Sequence, residues 1–237
     1  MSTVEFAAEG VSQAGTPYKS ITKYVHGDVS PFTLGLSLRR GAYLTHATAV
    51  FLHGLTQELP KTIYVNKEQS PKPRPSGPLL QAALDRAFSN KPRESNYVLS
   101  ARGHRYVILS GKHTERLEVS SVRTPNGDFV DTTNLERTLI DIVVRPSYAG
   151  GPQQVLAAYV GARERMSVGL LLATLRKLAY VYPYHQAIGF YMQRAGYKPA
   201  QLERVRGEGA SVDFYLANRI RDPGYDSTWR VFFPPGL

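Results

Sequence analysis

Cysteine is absent from this chain of 237 residues. Disulfides, thiolate zinc sites and cysteine nucleophiles are therefore excluded, which fits a reducing compartment such as the cytoplasm. The opening stretch MSTVEFAAEGVSQAG has neither a basic region nor an apolar core, so a signal peptide is not expected. No apolar run approaches the ~20 residues of a membrane helix, so no membrane association is expected. Chemical signatures are equally scarce. There is no His-Glu-x-x-His, no phosphate-binding Gly-rich loop and no Gly-x-Ser-x-Gly elbow. Six histidines occur, and of these His46 and His53 lie two helical turns apart on one face. Two ligands without a third do not make a zinc site, and a helix-face histidine bonded to a backbone carbonyl is the plainer account. No catalytic residue, metal or cofactor is expected.

Two weaker signals remain. Gly150-Gly151-Pro152 opens a helix whose N-terminus can hold an anion, although proline in a first turn explains the same residues without a ligand. Val212-Asp213-Phe214 can begin a nuclease-type strand, but the following YLANRIRDPGYD supplies no Glu-x-Lys, and two-metal chemistry needs clustered carboxylates.

What the chain has is positive charge. Hydrophobic residues make up 42% and charged residues 20%, the balance of a folded protein, with a net charge of +10. Residues 61–124 hold twelve basic and five acidic side chains, a net of +7. Such a concentration favours a polyanionic partner, and a solubility surface is its alternative.

Residues 1–30 lack sustained periodicity and read as an irregular lead-in or a short β-hairpin. Thr45 is placed to cap a helix that ends at Gly54, and Lys61–Asn66 is β-branched and aromatic, hence a strand. Residues 69–78 form a proline-rich basic loop, followed by a short helix over 79–89. Tyr97–Ser110 is a hairpin about Gly103, and residues 117–132 form a second across Pro125-Asn126-Gly127. Thr133 and Glu136 are spaced as a capping box for a helix carrying Leu135, Leu139, Ile142 and Val143 on one face, stopped by Arg145-Pro146. Within it Asp141 needs a partner, and Arg137 or Arg145 stands four residues away. Three more helices follow near 152–165, 167–181 and 184–195, then two closing strands. The order predicts an α+β fold, with residues 31–237 as one domain. Phe51, Leu52, Val107, Leu109, Leu171 and Leu175 are expected in the core.

The basic residues concentrate at the first hairpin. Arg102, His104 and Arg105 flank its turn, and Lys112, His113 and Arg116 follow its second strand. Lys72, Arg74, Lys91 and Arg93 can extend the patch. Phosphate neutralisation by such loop-tip cations gives affinity without base readout, and no helix has the pattern of a recognition helix. Tyr97 and Tyr106 can stack on bases, or pair on a sheet face.

Four stretches resemble one family. GAYLTHATAVFLHGLT with KTIYVN resembles the Y-[ST]-H-x-[ST]-A-x-x-x-H-G-L-[ST] helix and next strand of AbiEi antitoxins. TTNLERTLIDIVVRPSYAGG resembles their LERTLID…RP.YAGG segment, IGFYMQRAGY a helix end, and DSTWRVFFPPGL the closing strand. The matches lie in the family's order over residues 30–237. Thr45, His46, His53 and Gly54 fall in the first motif, and Glu136, Arg137, Asp141, Arg145 and Pro146 in the second, all as structural positions. The resemblance implies a non-enzymatic antitoxin of a type IV toxin–antitoxin pair used in abortive phage infection. Its opponent would be a nucleotidyltransferase-like toxin, countered without a stable complex; DNA as a further partner rests on the basic region 61–124. Members typically carry an N-terminal winged helix that represses their operon; residues 1–30 are too short to hold one, so the C-terminal-domain role is the part implied. A DNA-binding regulator and a metal-dependent nuclease relying on Asp213 are the alternatives.

Overall fold

The computed structural model describes residues 1–12, 15–73 and 77–237. The fold is α+β and divides into two compact units. Unit 1 contains residues 1–72 and 94–134, and unit 2 residues 73–93 and 135–237. The single domain expected over 31–237 is thus two units, because the chain leaves the first for one helix and returns.

Unit 1 is built on strands β1 (Ser2–Ala8), β2 (Ile21–Val25), β3 (Tyr43–Leu44), β4 (Thr62–Glu68), β5 (Val98–Ala101), β6 (His104–Gly111), β7 (Val119–Arg123) and β8 (Phe129–Thr133). They form one sheet in the order β2-β1-β5-β6-β4-β3-β8-β7. β4 pairs with β6 in parallel and β3 with β8 in parallel; the other neighbours are antiparallel. Of the two readings of residues 1–30, the short β-hairpin is the one found. β1 and β2 form the edge hairpin of the sheet, and alternation puts Val4 and Phe6 into the core.

Two short helices, α1 (Pro31–Ser37) and α2 (His46–Leu52), belong to this unit. The first was legible in principle: Pro31 takes the first helical position, and the Ser30 hydroxyl accepts the Thr33 N–H at 3.2 Å. α1 lies close on the sheet. A Cβ on Gly35 would come within 3.1 Å of the Ile63 and Val65 methyls. Around it Phe32, Leu34, Leu44, Ile63, Val65, Leu99 and Tyr106 form the core.

The first motif is a set of local locks. Thr45 holds the N-cap position of α2 in extended geometry, yet its hydroxyl makes no cap bond to that helix. His46, the first helical residue, is buried with φ 52°. Gly54 adopts φ 66° as expected, and the bonds Gly54 N–H to Phe51 O and Leu55 N–H to Val50 O complete a Schellman stop. His53 Nε2 donates to the Thr133 carbonyl at 2.7 Å, and the Thr48 hydroxyl accepts the Tyr64 N–H at 2.8 Å. One histidine thus ties the first motif to the start of the second. Phe51 and Leu52 are half-buried rather than fully enclosed.

Unit 2 contains α3 (Gln81–Ser89), α4 (Leu135–Val144), a 3-10 turn (Pro146–Ala149), α5 (Pro152–Ala162), α6 (Val168–Leu178), α7 (Tyr184–Arg194) and α8 (Pro199–Arg206). β9 (Phe214–Tyr215), β10 (Gly224–Asp226) and β11 (Val231–Phe233) close it in the order β10-β11-β9. α8 and a third closing strand exceed the sequence-based expectation. Both are short and polar, with little apolar periodicity to mark them.

α4 packs against α5, α6 and α7, and every residue from Glu136 to Val143 is buried. It is an enclosed helix, not the one-faced helix expected, and Leu135 and, on α6, Leu175 are only half-buried. The capping box is also corrected. The helix begins at Leu135, one residue later than a Thr133 cap requires, and the Glu136 carboxylate accepts the Ser167 N–H at 2.8 Å. Ser167 is the N-cap of α6, so Glu136 secures a neighbouring helix start. Arg137 Nε donates to Asp141 Oδ1 at 2.8 Å, with both side chains under a tenth exposed. Arg145 ends the helix at φ −138°, ψ 71° before Pro146 and donates instead to the Arg93 carbonyl at 3.1 Å.

The third and fourth motifs meet at Gly189. A Cβ there would lie 2.1 Å from the Trp229 ring, so only a bare α7 backbone admits the indole. Trp229 Nε1 donates to Gln193 Oε1 at 2.7 Å, while Gln186 Nε2 donates to the Val212 and Trp229 carbonyls at 2.9 and 2.8 Å. Among the described residues no helix is long and apolar enough to cross a membrane.

Two outcomes follow for stability. Asp141→Ala should cost unit 2 about 3–5 kcal/mol, because it breaks a buried ion pair by removing one partner; a combined Arg137→Met, Asp141→Leu variant should recover most of that loss in a urea titration. Gly189→Ala should destabilise by about 1–3 kcal/mol through overpacking, read from the emission of Trp229, the only tryptophan.

Candidate nucleic-acid interface

The first hairpin has the tight turn its sequence demands. Arg102 and Gly103 take φ 47° and 74°, and Ala101 pairs with His104, giving a two-residue turn with both central residues left-handed. The turn thrusts Arg102 into solvent. The His104 ring donates from Nδ1 back to the Arg102 carbonyl at 3.0 Å, which stiffens the tip. Arg105 is less available. Its Nε donates to Glu9 Oε2 at 3.3 Å, and Ser100 donates to the same carboxylate. This pair is exposed, so it competes weakly with a phosphate.

Lys112, His113 and Arg116 do not join that tip. They follow the far end of β6, whose eight residues span about 23 Å at the usual rise per residue. The expected single patch is therefore two separate groups. The sequence placed them together because a hairpin strand brings its start and end near in number but not in space.

At the far end the cations serve the fold. Glu68, the last residue of β4, gathers the 113–118 loop around its carboxylate. It accepts Thr114 N–H at 2.9 Å, the Thr114 hydroxyl, Arg116 N–H at 3.2 Å and Tyr43 OH at 3.0 Å, with His113 Nδ1 at 3.7 Å. Burial alone would raise the Glu68 pKa, but the bonds from Thr114, Tyr43 and Arg116 outweigh it and hold the carboxyl below its usual value. Arg116 reaches Asp131 Oδ2 at 2.5 Å and the Gly41 carbonyl at 2.8 Å, and its guanidinium lies 5.6 Å from the Tyr43 ring centre. It is a clamp between β8 and the β3 entry, not a free phosphate ligand. Lys112 is exposed, and so is Lys72. Arg74 lies outside the described residues.

Neither tyrosine of this hairpin faces a base. Tyr106 is fully buried, edge-on to Phe6 at 5.1 Å, and burial raises its pKa to about 12 against a lowering by Arg102. Tyr97 stacks on Tyr18 at 4.1 Å, and its hydroxyl accepts Arg39 Nη2 at 2.5 Å. Tyr106 has the sheet-face pairing, from β6 against Phe6 of β1, whereas Tyr97 and Tyr18 stack on each other outside the strands.

Folding also redistributes the charge. Unit 1 carries twelve basic and ten acidic side chains, a net of +2, and unit 2 seventeen and nine, a net of +8. The +7 stretch of sequence is cut by the excursion 73–93, so Lys91 and Arg93 belong to unit 2. Asp213 is held by Arg230 Nε at 2.8 Å and Tyr225 OH at 2.8 Å, and first the Arg230 bond, then that of Tyr225, keep its carboxyl below the usual range. A carboxylate so occupied is a poor metal ligand, and no cluster of three or more His, Asp or Glu suited to a metal occurs among the described residues.

No family model matches the chain, and no curated protein matches it. The fold has a solved counterpart. The crystal structure of the RV2827C protein from Mycobacterium tuberculosis aligns with a TM-score of 0.53 and 13% identity, covering 86% of this chain. This chain spans 66% of that protein's length. At such identity the likeness concerns the fold alone.

The Glu68 network carries a pH signature. Because the folded-state pKa lies below the unfolded one, its stabilisation is present above the usual value of 4.5 and is lost as pH falls through the folded pKa. Glu68→Gln should be less stable than the parent at neutral pH, with the gap closing in acid. Thermal unfolding of both proteins from pH 7 downward measures it.

Proposed function

We propose that this chain is a non-enzymatic, antitoxin-like protein of the AbiEi kind. It acts in the cytoplasm against a nucleotidyltransferase-like toxin in a phage-defence pair, without requiring a stable complex. The observation that carries this role is the run of four motif-like stretches in family order over residues 30–237. Their contacts are consistent with it. The first stretch bonds the second through His53 and Thr133, and the third receives the fourth at Gly189. Co-expression with the nucleotidyltransferase-like toxin encoded beside it should restore growth that the toxin alone arrests. Continued arrest, with this protein soluble and folded, would overturn the role.

DNA binding as a regulator is the second reading, favoured by the exposed cation Arg102 at a stiff hairpin tip. Among the described residues Arg102 has no ion pair, whereas Arg105 has only an exposed one. Arg102→Glu with Arg105→Glu should weaken duplex binding equally for promoter and scrambled sequences. It should also lower the salt slope by roughly one for each phosphate no longer neutralised. A salt titration by fluorescence anisotropy decides this, and an unchanged slope removes the tip from the interface. The nuclease alternative has no such support, since Asp213 is committed to Arg230 and Tyr225.

A further inference from the structure

The closing sheet of unit 2 carries a feature that the antitoxin role does not use. Register sets Tyr225 of β10 opposite Phe232 of β11, and Phe232 opposite Tyr215 of β9. Three aromatic residues therefore form one row across all three strands, while their neighbours Val231 and Phe214 point into the core. Ring centres along the row are 4.9 Å apart at each step. Phe88 of α3 extends it, 5.3 Å from Tyr215 and only 17° from parallel. Tyr215 and Phe232 lie 26° from parallel, while Tyr225 is tilted by 47° to Phe232, so the near-parallel stack runs from Phe88 to Phe232 and Tyr225 closes the row at an angle. The row also has an open end. Tyr225 is on the edge strand and is 47% exposed.

The row is held rigid by its own hydroxyls. Tyr225 donates to Asp213 and Tyr215 to Asp85 at 2.9 Å, and Asp85 also accepts Gln81 Nε2 at 2.8 Å. Oδ1 of each carboxylate is thereby engaged, and Asp213 is further paired with Arg230. The cations beside the row are not. The loop from β9 to β10 lies on the end of α3, with Arg219 N–H bonded to the Phe88 carbonyl at 2.8 Å and the Asn218 amide bonded to the Ala87 and Asn90 carbonyls. This loop carries Arg219 and Arg221, both exposed and, among the described residues, without an ion pair. Lys91 follows Asn90 in the same condition.

We propose that this row is a stacking platform for single-stranded nucleic acid. An open aromatic row bordered by unpaired arginines, on a unit of net charge +8, matches the two needs of a single strand. Bases gain by stacking on the exposed ring of Tyr225, and phosphates gain by meeting Arg219, Arg221 and Lys91. A duplex has its base faces already stacked and can use only the cations. The platform does not depend on the antitoxin role or on the hairpin tip of unit 1.

The test is fluorescence anisotropy of the whole chain with labelled oligothymidylate, oligouridylate and a duplex of equal length, over a range of salt. Both single strands should bind more tightly than the duplex. Tyr225→Ala should weaken single-strand binding about 5- to 150-fold, the worth of one stacked base, and leave duplex binding unchanged. Tyr225→Trp should keep it. Arg219→Gln with Arg221→Gln should lower the salt slope for single strands by roughly 0.7 for each phosphate released from its arginine. Circular dichroism confirms that each variant is folded. Duplex binding as tight as single-strand binding, or a folded Tyr225→Ala protein that binds single strands as well as the parent, would overturn the platform. Growth rescue by the same Tyr225→Ala protein separates the two proposals, because it reads toxin opposition without reference to this surface.

Discussion

Helix α4 imposes the strictest condition on unit 2. A helix enclosed by three others cannot send a charged side chain to water, yet it carries Glu136, Arg137 and Asp141 within two turns. Each is met inside the protein. Arg137 and Asp141 meet each other one turn apart, and Glu136 accepts the backbone N–H of Ser167 at the start of α6. The intrahelical pair sets opposite charges one turn apart. The Glu136 bond fixes a neighbouring helix, because it joins the second residue of α4 to the cap of α6. An isolated ion would be intolerable here, so the spacing of these three residues is as constrained as the apolar ones around them.

Fixing backbone geometry, rather than displaying reactive groups, is what most of the motif residues do. His53 binds a carbonyl, Gly54 stops a helix, Thr48 receives a strand N–H, and Gly189 makes room for an indole. Such residues identify an architecture and leave function to surfaces between them. That separation is compatible with the proposed antitoxin-like role resting on motif order while the proposed nucleic-acid surfaces lie elsewhere, at Arg102 in one unit and along Tyr225–Phe232–Tyr215–Phe88 in the other.

Local chemistry was the legible part of the sequence. Both hairpins, the Gly54 stop, the Arg145-Pro146 stop and the Arg137–Asp141 pairing rest on residues a few positions apart, and short-range sterics decides them. The α+β class followed from the segregation of strands and helices. Non-local facts were hidden. Glu136 looked like half of a capping box because nothing in the sequence shows Ser167 beside it. Arg116 looked like a phosphate ligand because its partners, Asp131 and the Gly41 carbonyl, arrive from two other parts of the chain. The aromatic row was hidden for the same reason: its members stand at 88, 215, 225 and 232, and only strand register aligns the last three. Charge counted along the chain misled most, since the excursion 73–93 assigns part of the basic stretch to the other unit.

That excursion has a consequence for how the protein is made. α3 leaves the ribosome early, but the residues it bonds, such as Asp213 with Gln81, follow 132 positions later. Unit 1 can close once residue 134 has emerged, with α3 looped out between its two segments. Unit 2 cannot close until the final strands are synthesised. Throughout that interval the half-buried face of α3, including Phe88, has no native cover, and closing the loop from 81 to 213 is the long-range step on which the second unit waits.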